Sequence, residues 1–432
     1  MRRLALVGLL LTLGIGVAGS DRASAQTQDD LFNDDSLQEM RLTLSARDWA
    51  ALKENYLDNT YYAANLTWRG VTVRNLGIRS RGNGTRNDVK PGIRLDFNRF
   101  LTNQTFMGLK ALALDNEYSD DSLVREAVTM KMFAKMGIPP PREMHLRLYV
   151  NNEYAGVYTA IESVDRDFVT RLYGVDEANV ETGGFLFEYS HIMPWNFEYL
   201  GEDLAPYAAL FEAQTRDTDA MPVLFTPIEE MIRVINESPD EDFADAVGQY
   251  LDLPRFMKHL AVESFMAEWD GIVGFDTTNN FYLYRFRTGS LSQLIPWDKD
   301  RTFYAADLSV TTRFDTNVLV RRAMQVPALR QAFYEALAQC VAFAQEPDPN
   351  DPRGWLEREV DRQTQQVAPA VAEDPVYPFP REEFATAVAF LLDFARTRAS
   401  FVTCEMGNTL APLDNDPTSC TTSPASALRF TH

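Results

Sequence analysis

The sequence predicts an α+β protein of two lobes, the first rich in strands and carrying one helix, the second mostly helical. Three observations lead there. Between residues 39 and 164 apolar side chains recur mainly every second position, the period of a strand with one buried face. From about 165 onward they recur at spacings of three and four, the period of helices packed on a core. The chain has 432 residues, 45% of them hydrophobic and 12% aromatic, which supports more than one compact unit and opposes global disorder.

Residues 1–25 read as a secretory signal: Arg2 and Arg3, a short apolar run over 4–19, then Ala23-Ser24-Ala25 as a small-x-small cleavage site. The run is short for a membrane span. An exported protein, secreted or periplasmic and bacterial, with no stable membrane span once the signal is removed, is the expectation. Residues 26–38 are a polar leader. "EMRLTLS" (39–45) alternates as a strand, and Ser45 with Asp48 caps the helix that follows. "YYAANLTW" and "VTVRNLGIRS" are strands joined at Arg69-Gly70, and "IRLDF" (93–97) is another. A helix is expected over 122–136, with Leu123, Ala127, Met130 and Ala134 on one face and Gly137 with three prolines ending it. "MHLRLYVNNEYAGVYTAIESV" makes a hairpin turning at Asn151-Asn152.

In the second lobe, 165–403, helices are expected over 165–173, 206–213, 226–237, 241–268, 326–345, 353–373 and 381–400. One hairpin, "NNFYLYRFR" with "LSQLIPW", interrupts them near 279–297. Residues 404–432 read as a loop-rich tail. Cys404 and Cys420 flank a Pro/Asn/Asp-rich loop and are expected to pair in an oxidising compartment, while Cys340 lies in an apolar helical pattern as a buried free thiol.

A formal charge of −21 opposes binding to nucleic acid or anionic membrane, and neither is expected as a partner. Four scattered histidines and no CxxC pair argue against a zinc site. What remains is a set of polar residues at element ends. "RSRGNGTR" places Gly82 and Gly84 among Arg79, Arg81 and Arg86, either a phosphate-binding loop or an ordinary turn with solvated arginines. In "IRLDF", Arg94 lies on the face opposite the apolar one. Glu126 adjoins the apolar stripe of its helix, and Glu162 ends a strand where the two lobes join, just before the cap Asp165. "EWDG" supplies Asp270, "TNNFYLY" supplies Asn279 and Asn280, and "LIPWDKDRTF" delivers Asp298 after a buried strand. The hairpin brings Asn280 near Asp298, so two oxygen donors converge as a Mg²⁺ site requires. Lys299, Asp300 and Arg301 read as turn residues, solvated by default.

Between about 39 and 305 the sequence resembles the CotH family, the spore-coat protein H-like proteins, secreted and with an atypical protein-kinase fold. The resemblance runs through "GIRSRGNGTR", "KPGIRLDF", "NEYSDDSLVREAVTMKMFAKMGIPPPR", "LRLYVNNEYAGVYTAIESVDRDFV", "EWDG", "NNFYLY" and "IPWDKDRTF". It implies a two-lobed kinase-like fold and an ATP-dependent kinase using Mg²⁺ or Mn²⁺ to phosphorylate Ser or Thr of an extracytoplasmic protein. The alternative is an inactive kinase-fold scaffold of the cell envelope. It implies that Gly82 and Gly84, with Arg81, cover the phosphates and that Arg94 touches them with Glu126 as its partner, Lys90 being the competing cation. Glu162 and Ser163 would mark the adenine hinge, Asp270 the catalytic aspartate, and Asn280 and Asp298 the metal ligands. The sequence departs from ordinary kinases in lacking HRD, DFG and a Walker A loop, and in carrying Arg, a fork rather than a point charge, at position 94.

Overall fold

The computed structural model describes residues 26–410 and Cys420, so the expected signal peptide and most of the expected tail lie outside the described residues. A short helix α1 (Gln28–Leu31) precedes strand β1 (Gln38–Leu44), helix α2 (Ala46–Glu54), β2 (Tyr62–Trp68), β3 (Val71–Arg81), β4 (Gly92–Asp96) and β5 (Ala111–Asp115). Helix α3 (Arg125–Lys135) follows, then β6 (Glu143–Val150) and β7 (Glu153–Glu162). The seven strands close into a barrel in the order β1-β2-β3-β4-β5-β7-β6, sealed by a parallel β1–β6 pair. Closure removes the free edges that an open sheet leaves. The hairpin turns sit where the sequence puts them, with positive φ at Arg69 and Gly70 and at Asn151 and Asn152.

Alternation fills the barrel. Ile93, Leu95 and Phe97 point inward from β4 and just beyond it, as do Met144, Leu146 and Leu148 from β6, around Trp68 and Phe106. Each such side chain contributes about 1.5–3 kcal/mol by leaving water. The expected leader takes part in the fold: Leu31 and Phe32 join the barrel core.

Beyond the barrel come α4 (Arg166–Tyr173), β8 (Phe185–Tyr189), α5 (Ala205–Leu210), β9 (Phe211–Ala213), α6 (Met221–Glu237), α7 (Phe243–Val247) and α8 (Leu253–Phe265). Strands β10 (Phe281–Arg285) and β11 (Ser292–Pro296) precede α9 (Val318–Gln325), α10 (Pro327–Ala344), α11 (Trp355–Glu373) and α12 (Arg381–Leu410). A four-stranded sheet, β11-β10-β8-β9, lies among these helices. One face, with Phe187, Phe281 and Leu283, enters the large helical core; the other, with Leu186, Tyr282 and Tyr284, packs beside α4 residues Phe168 and Val169. Helix α3 follows the sequence reading in extent but not in allegiance, because Val128, Met132 and Phe133 belong to the helical core rather than the barrel.

Three expectations change. The helix expected over 206–213 ends at Leu210 and continues as β9, where Phe211 and Ala213 pair with β8. The helix expected over 241–268 breaks into α7 and α8, since Asp252 caps a new start by accepting the Arg255 N–H at 3.1 Å. The expected tail begins too early: α12 runs through Cys404, which is bonded to Cys420 with Cα atoms 5.9 Å apart.

Helix α11 straps the barrel to the helical part. Asp374, just past its end, accepts the Val157 N–H at 2.9 Å and the Lys90 ammonium at 3.2 Å. Tyr154 donates to Ala370 O at 3.0 Å, and His145 meets Gln363 at 3.1 Å.

Candidate active site

A cleft of roughly 1540 Å³ separates the barrel from the helical part. Its barrel wall is the outer face of β3 and β4. Period-2 alternation puts Ile93 and Leu95 in the core and turns Arg94 outward, paired in register with Arg79; Arg81 follows on β3. Gly82 has φ of 111°, open to glycine at little strain, and the loop it starts is anchored by Arg86, which donates to Gly82 O at 2.7 Å and Leu57 O at 2.9 Å. Arg86 fastens this loop and, like Gly82, Gly84, Arg79, Arg81 and Arg94, also lines the cleft.

The floor is the loop after α8 together with the β10–β11 hairpin. Asn279 donates to both Asp270 oxygens at 3.2 Å, and Asn280 donates to Asp270 Oδ2 at 3.1 Å and to Asp270 O at 2.9 Å. Asn280 and Asp298 adopt left-handed φ values of 59° and 52°, a conformation that short polar side chains tolerate and that turns each abruptly at a strand end. Asp298 is exposed to the cleft. Partial desolvation by the surrounding cleft walls, with Asp115 and Asp270 nearby, lifts its carboxyl to about 6, against the pull of Arg81 and Lys299. Arg81 binds Asp115 at 2.9 Å; although burial works against its charge, Asp115 and Asp298 raise its pKa. A cation on the barrel wall therefore stands between two carboxylates.

Asp270, Asn280, Asp298, Arg81, Arg94, Gly82 and Gly84 thus share one cleft. Three other expected residues do not present side chains to it. Lys90 is buried in its pair with Asp374, on the strap side. Glu162 is 1% exposed and spends both oxygens on Arg142 and Arg171, at 2.8 and 2.6 Å; Ser163 and Val164, next in the chain, line the cleft instead. Glu126 forms no ion pair with Arg94; it accepts the Lys299 N–H at 3.3 Å and faces Glu143, and burial, then Glu143 and Asp298, raises its carboxyl well above the usual range.

Lys299 is also not a solvated turn residue, being fully buried and paired with Glu263. Asp300 lines the cleft, its carboxyl raised by burial and then by Asp298. Sequence reasoning passed over Asp115, which ends β5 after "ALAL" just as Asp298 follows "LIPW"; an apolar strand delivering a carboxylate was the available signal.

The donor set fits a hard divalent cation that brings ligands of its own. With its Nδ2 spent on Asp270, Asn280 keeps a carbonyl oxygen to offer, and Asp298 offers a carboxylate free of ion pairs within 4 Å among the described residues. Among the described residues no group of three or more His, Cys, Asp or Glu is placed to hold a metal by itself. One or two carboxylates completed by phosphate and water is the usual Mg²⁺ arrangement.

Fold and cleft define an α+β protein in which an arginine-bearing barrel wall faces a carboxylate-bearing floor. The chain belongs to the CotH family, whose pattern, described as CotH kinase protein, matches residues 78–402. It is 22% identical to the inner spore coat protein H of Bacillus subtilis (strain 168) over 390 residues, covering 86% of this chain and 98% of that protein. It is also 21% identical over 327 residues to spore coat protein homolog 1 of Rhizopus delemar, covering 71% of this chain and 51% of that one.

Proposed function

We propose that this protein is an ATP-dependent protein kinase that phosphorylates Ser or Thr of a protein outside the cytoplasm. The observation that carries the reading is the floor itself: Asp270 gripped by Asn279 and Asn280, with Asp298 facing Arg81 across the cleft. Phosphoryl transfer asks for positioning and charge neutralisation more than for covalent help, and these residues supply both. Arg79, Arg81 and Arg94 would take the phosphate oxygens, and the N–H groups of the Gly82–Gly84 turn would cover them. Asp298 and the Asn280 carbonyl would hold Mg²⁺ or Mn²⁺, which when bound to ATP neutralises charge between the phosphates. Asp270 would orient the acceptor hydroxyl and receive its proton. The family description supports the chemistry, and the spore-coat names of the relatives together with the signal-like start support a location outside the cytoplasm. No helix among the described residues is long and apolar enough to cross a membrane.

Incubation of the purified protein with labelled ATP and either Mg²⁺ or Mn²⁺ tests the reading. Label on Ser or Thr that disappears in Asp270→Ala is the expected result; no transfer to itself or to any added protein sinks it.

A further inference from the structure

Under the cleft floor lies a buried charged group to which the proposed chemistry assigns no role. Glu263, on α8, is 2% exposed. Its Oε1 lies 2.8 Å from Lys299 Nζ and 3.0 Å from His259 Nε2, and its Oε2 accepts the Ile272 N–H at 2.8 Å. Lys299, 0% exposed, also donates from Nζ to Asn280 O at 3.0 Å. Burial alone would raise the Glu263 carboxyl, but Lys299 and His259 beside it bring it down to about 2, so the pair is ionic.

The contacts reach each segment of the floor. Ile272 follows Asp270 by two residues, the main-chain oxygen of Asn280 is held directly, and Lys299 follows Asp298, whose left-handed φ sends the two side chains apart, one to the cleft and one beneath it. Gly271 shows how close the approach is: a Cβ there would meet Glu263 Oε2 at 2.5 Å. Only a glycine lets the Asp270 loop lie against that carboxylate. A buried ion pair is weak as a source of stability, since desolvation offsets most of its attraction. What this one has is connectivity: two floor segments meet the Glu263 carboxylate, and the third, at Asn280, is held by the Lys299 ammonium.

We propose that the Glu263–Lys299 pair is the positioning device of the site, fixing Asp270, Asn280 and Asp298 relative to one another without touching nucleotide or acceptor. The inference rests on the phosphotransfer reading for its kinetic consequence, but not for its structural one. Misplacement by about 1 Å costs on the order of 10²-fold in rate, so loss of the pair should be felt mainly in turnover.

The test uses the full chain and three variants. Lys299→Met strands a buried carboxylate and can fail to fold, so the double variant Glu263→Gln/Lys299→Met, which removes both charges, carries the decision. Leu66→Ala in the barrel core is the control for general destabilisation. Amide hydrogen exchange is followed for peptides covering 268–282 and 297–304, and kcat and KM for ATP are measured per folded molecule. The expected result is faster exchange confined to these two stretches in the double variant, with kcat lower by about 10- to 100-fold. In Leu66→Ala, exchange should rise in barrel peptides and kcat should hold. Unchanged exchange at both stretches, or acceleration no greater than in Leu66→Ala, overturns the proposal, as does local loosening with kcat intact. If the wild type transfers no phosphate and the exchange pattern still holds, the phosphotransfer reading fails while the positioning role stands.

Discussion

Asn280 grips Asp270 twice, through the main-chain oxygen at 2.9 Å and the side-chain Oδ2 at 3.1 Å. A carboxylate so held keeps one direction, which is the property a proton-accepting group needs in a transition state. Asp270→Ala should therefore lower phosphoryl transfer by about 10²- to 10⁴-fold while leaving nucleotide binding nearly intact. Asn280→Ala should also lower it, and the double variant should lose much less than the product of the two, because the residues act as a unit. Single-turnover kinetics beside equilibrium nucleotide titration checks this; equal turnover in Asp270→Ala and wild type removes that residue from the mechanism.

Asp298 should behave differently. As a metal ligand it contributes to ground-state binding, so Asp298→Ala should weaken ATP binding in the presence of Mg²⁺ and leave metal-free binding unchanged or tighter. Calorimetric titration with and without the ion makes the comparison. The protein without ligands should fold at least as firmly, since removing one carboxylate relieves repulsion among Asp115, Asp270 and Asp300. Binding of the metal nucleotide at wild-type strength would return Asp298 to an ordinary turn.

Glu268 offers a test by pH. Its Oε1 accepts the Asp270 N–H at 2.7 Å, its Oε2 is buried with no hydrogen-bond partner among the described residues, and burial pushes its carboxyl up to about 8. The folded state then holds a proton that the unfolded chain has released above about 4.3. Stability from this group is present below that value and is lost as pH rises from about 4 to 8. Glu268→Gln keeps the acceptor and abolishes the titration, so the fall in denaturation midpoint between pH 5 and pH 8 should be smaller than in wild type. The difference should be on the order of a few kcal/mol. Identical pH slopes would show that Glu268 stays ionised.

The three cysteines should sort by accessibility. Intact-mass measurement of exported material should find Gln26 at the start and one disulfide, Cys404–Cys420. Cys340, fully buried with its thiol pushed up by that burial, should react with a thiol reagent only after denaturant is added. Replacing both paired cysteines by serine should cost about 3 kcal/mol, as for a loop of comparable length.

What could be read from the sequence was whatever repeats with a period. Strands with one wet face, such as β2, β3 and β6, announced themselves by alternation; α3 was legible in extent but not in face, since Ala134 of the expected stripe is exposed while Val128, Met132 and Phe133 are buried. β5 and β8 did not, because they are covered on nearly every residue and show an unbroken apolar run. The approach of Asn280 to Asp298 followed from hairpin pairing, a local rule, whereas Asp270 is brought in by side-chain contacts with Asn279 and Asn280. The fates of Lys90, Glu126 and Lys299 depended on partners 284, 173 and 36 positions away, through contacts with Asp374, Lys299 and Glu263. No periodicity encodes a partner at that range, and burial turned each expected cleft or surface charge into a structural one.

The α11 strap bears on how the cleft works. Because Lys90, Tyr154 and Val157 are all tied to one short stretch, Ala370 to Asp374, the barrel is pinned at its rear along a single line. A joint placed there backs the barrel from behind and leaves its arginine wall to face the carboxylate floor at the front. The stretch from Ala370 to Asp374 thus serves the cleft without lining it, as a brace behind the wall that carries Arg81 and Arg94.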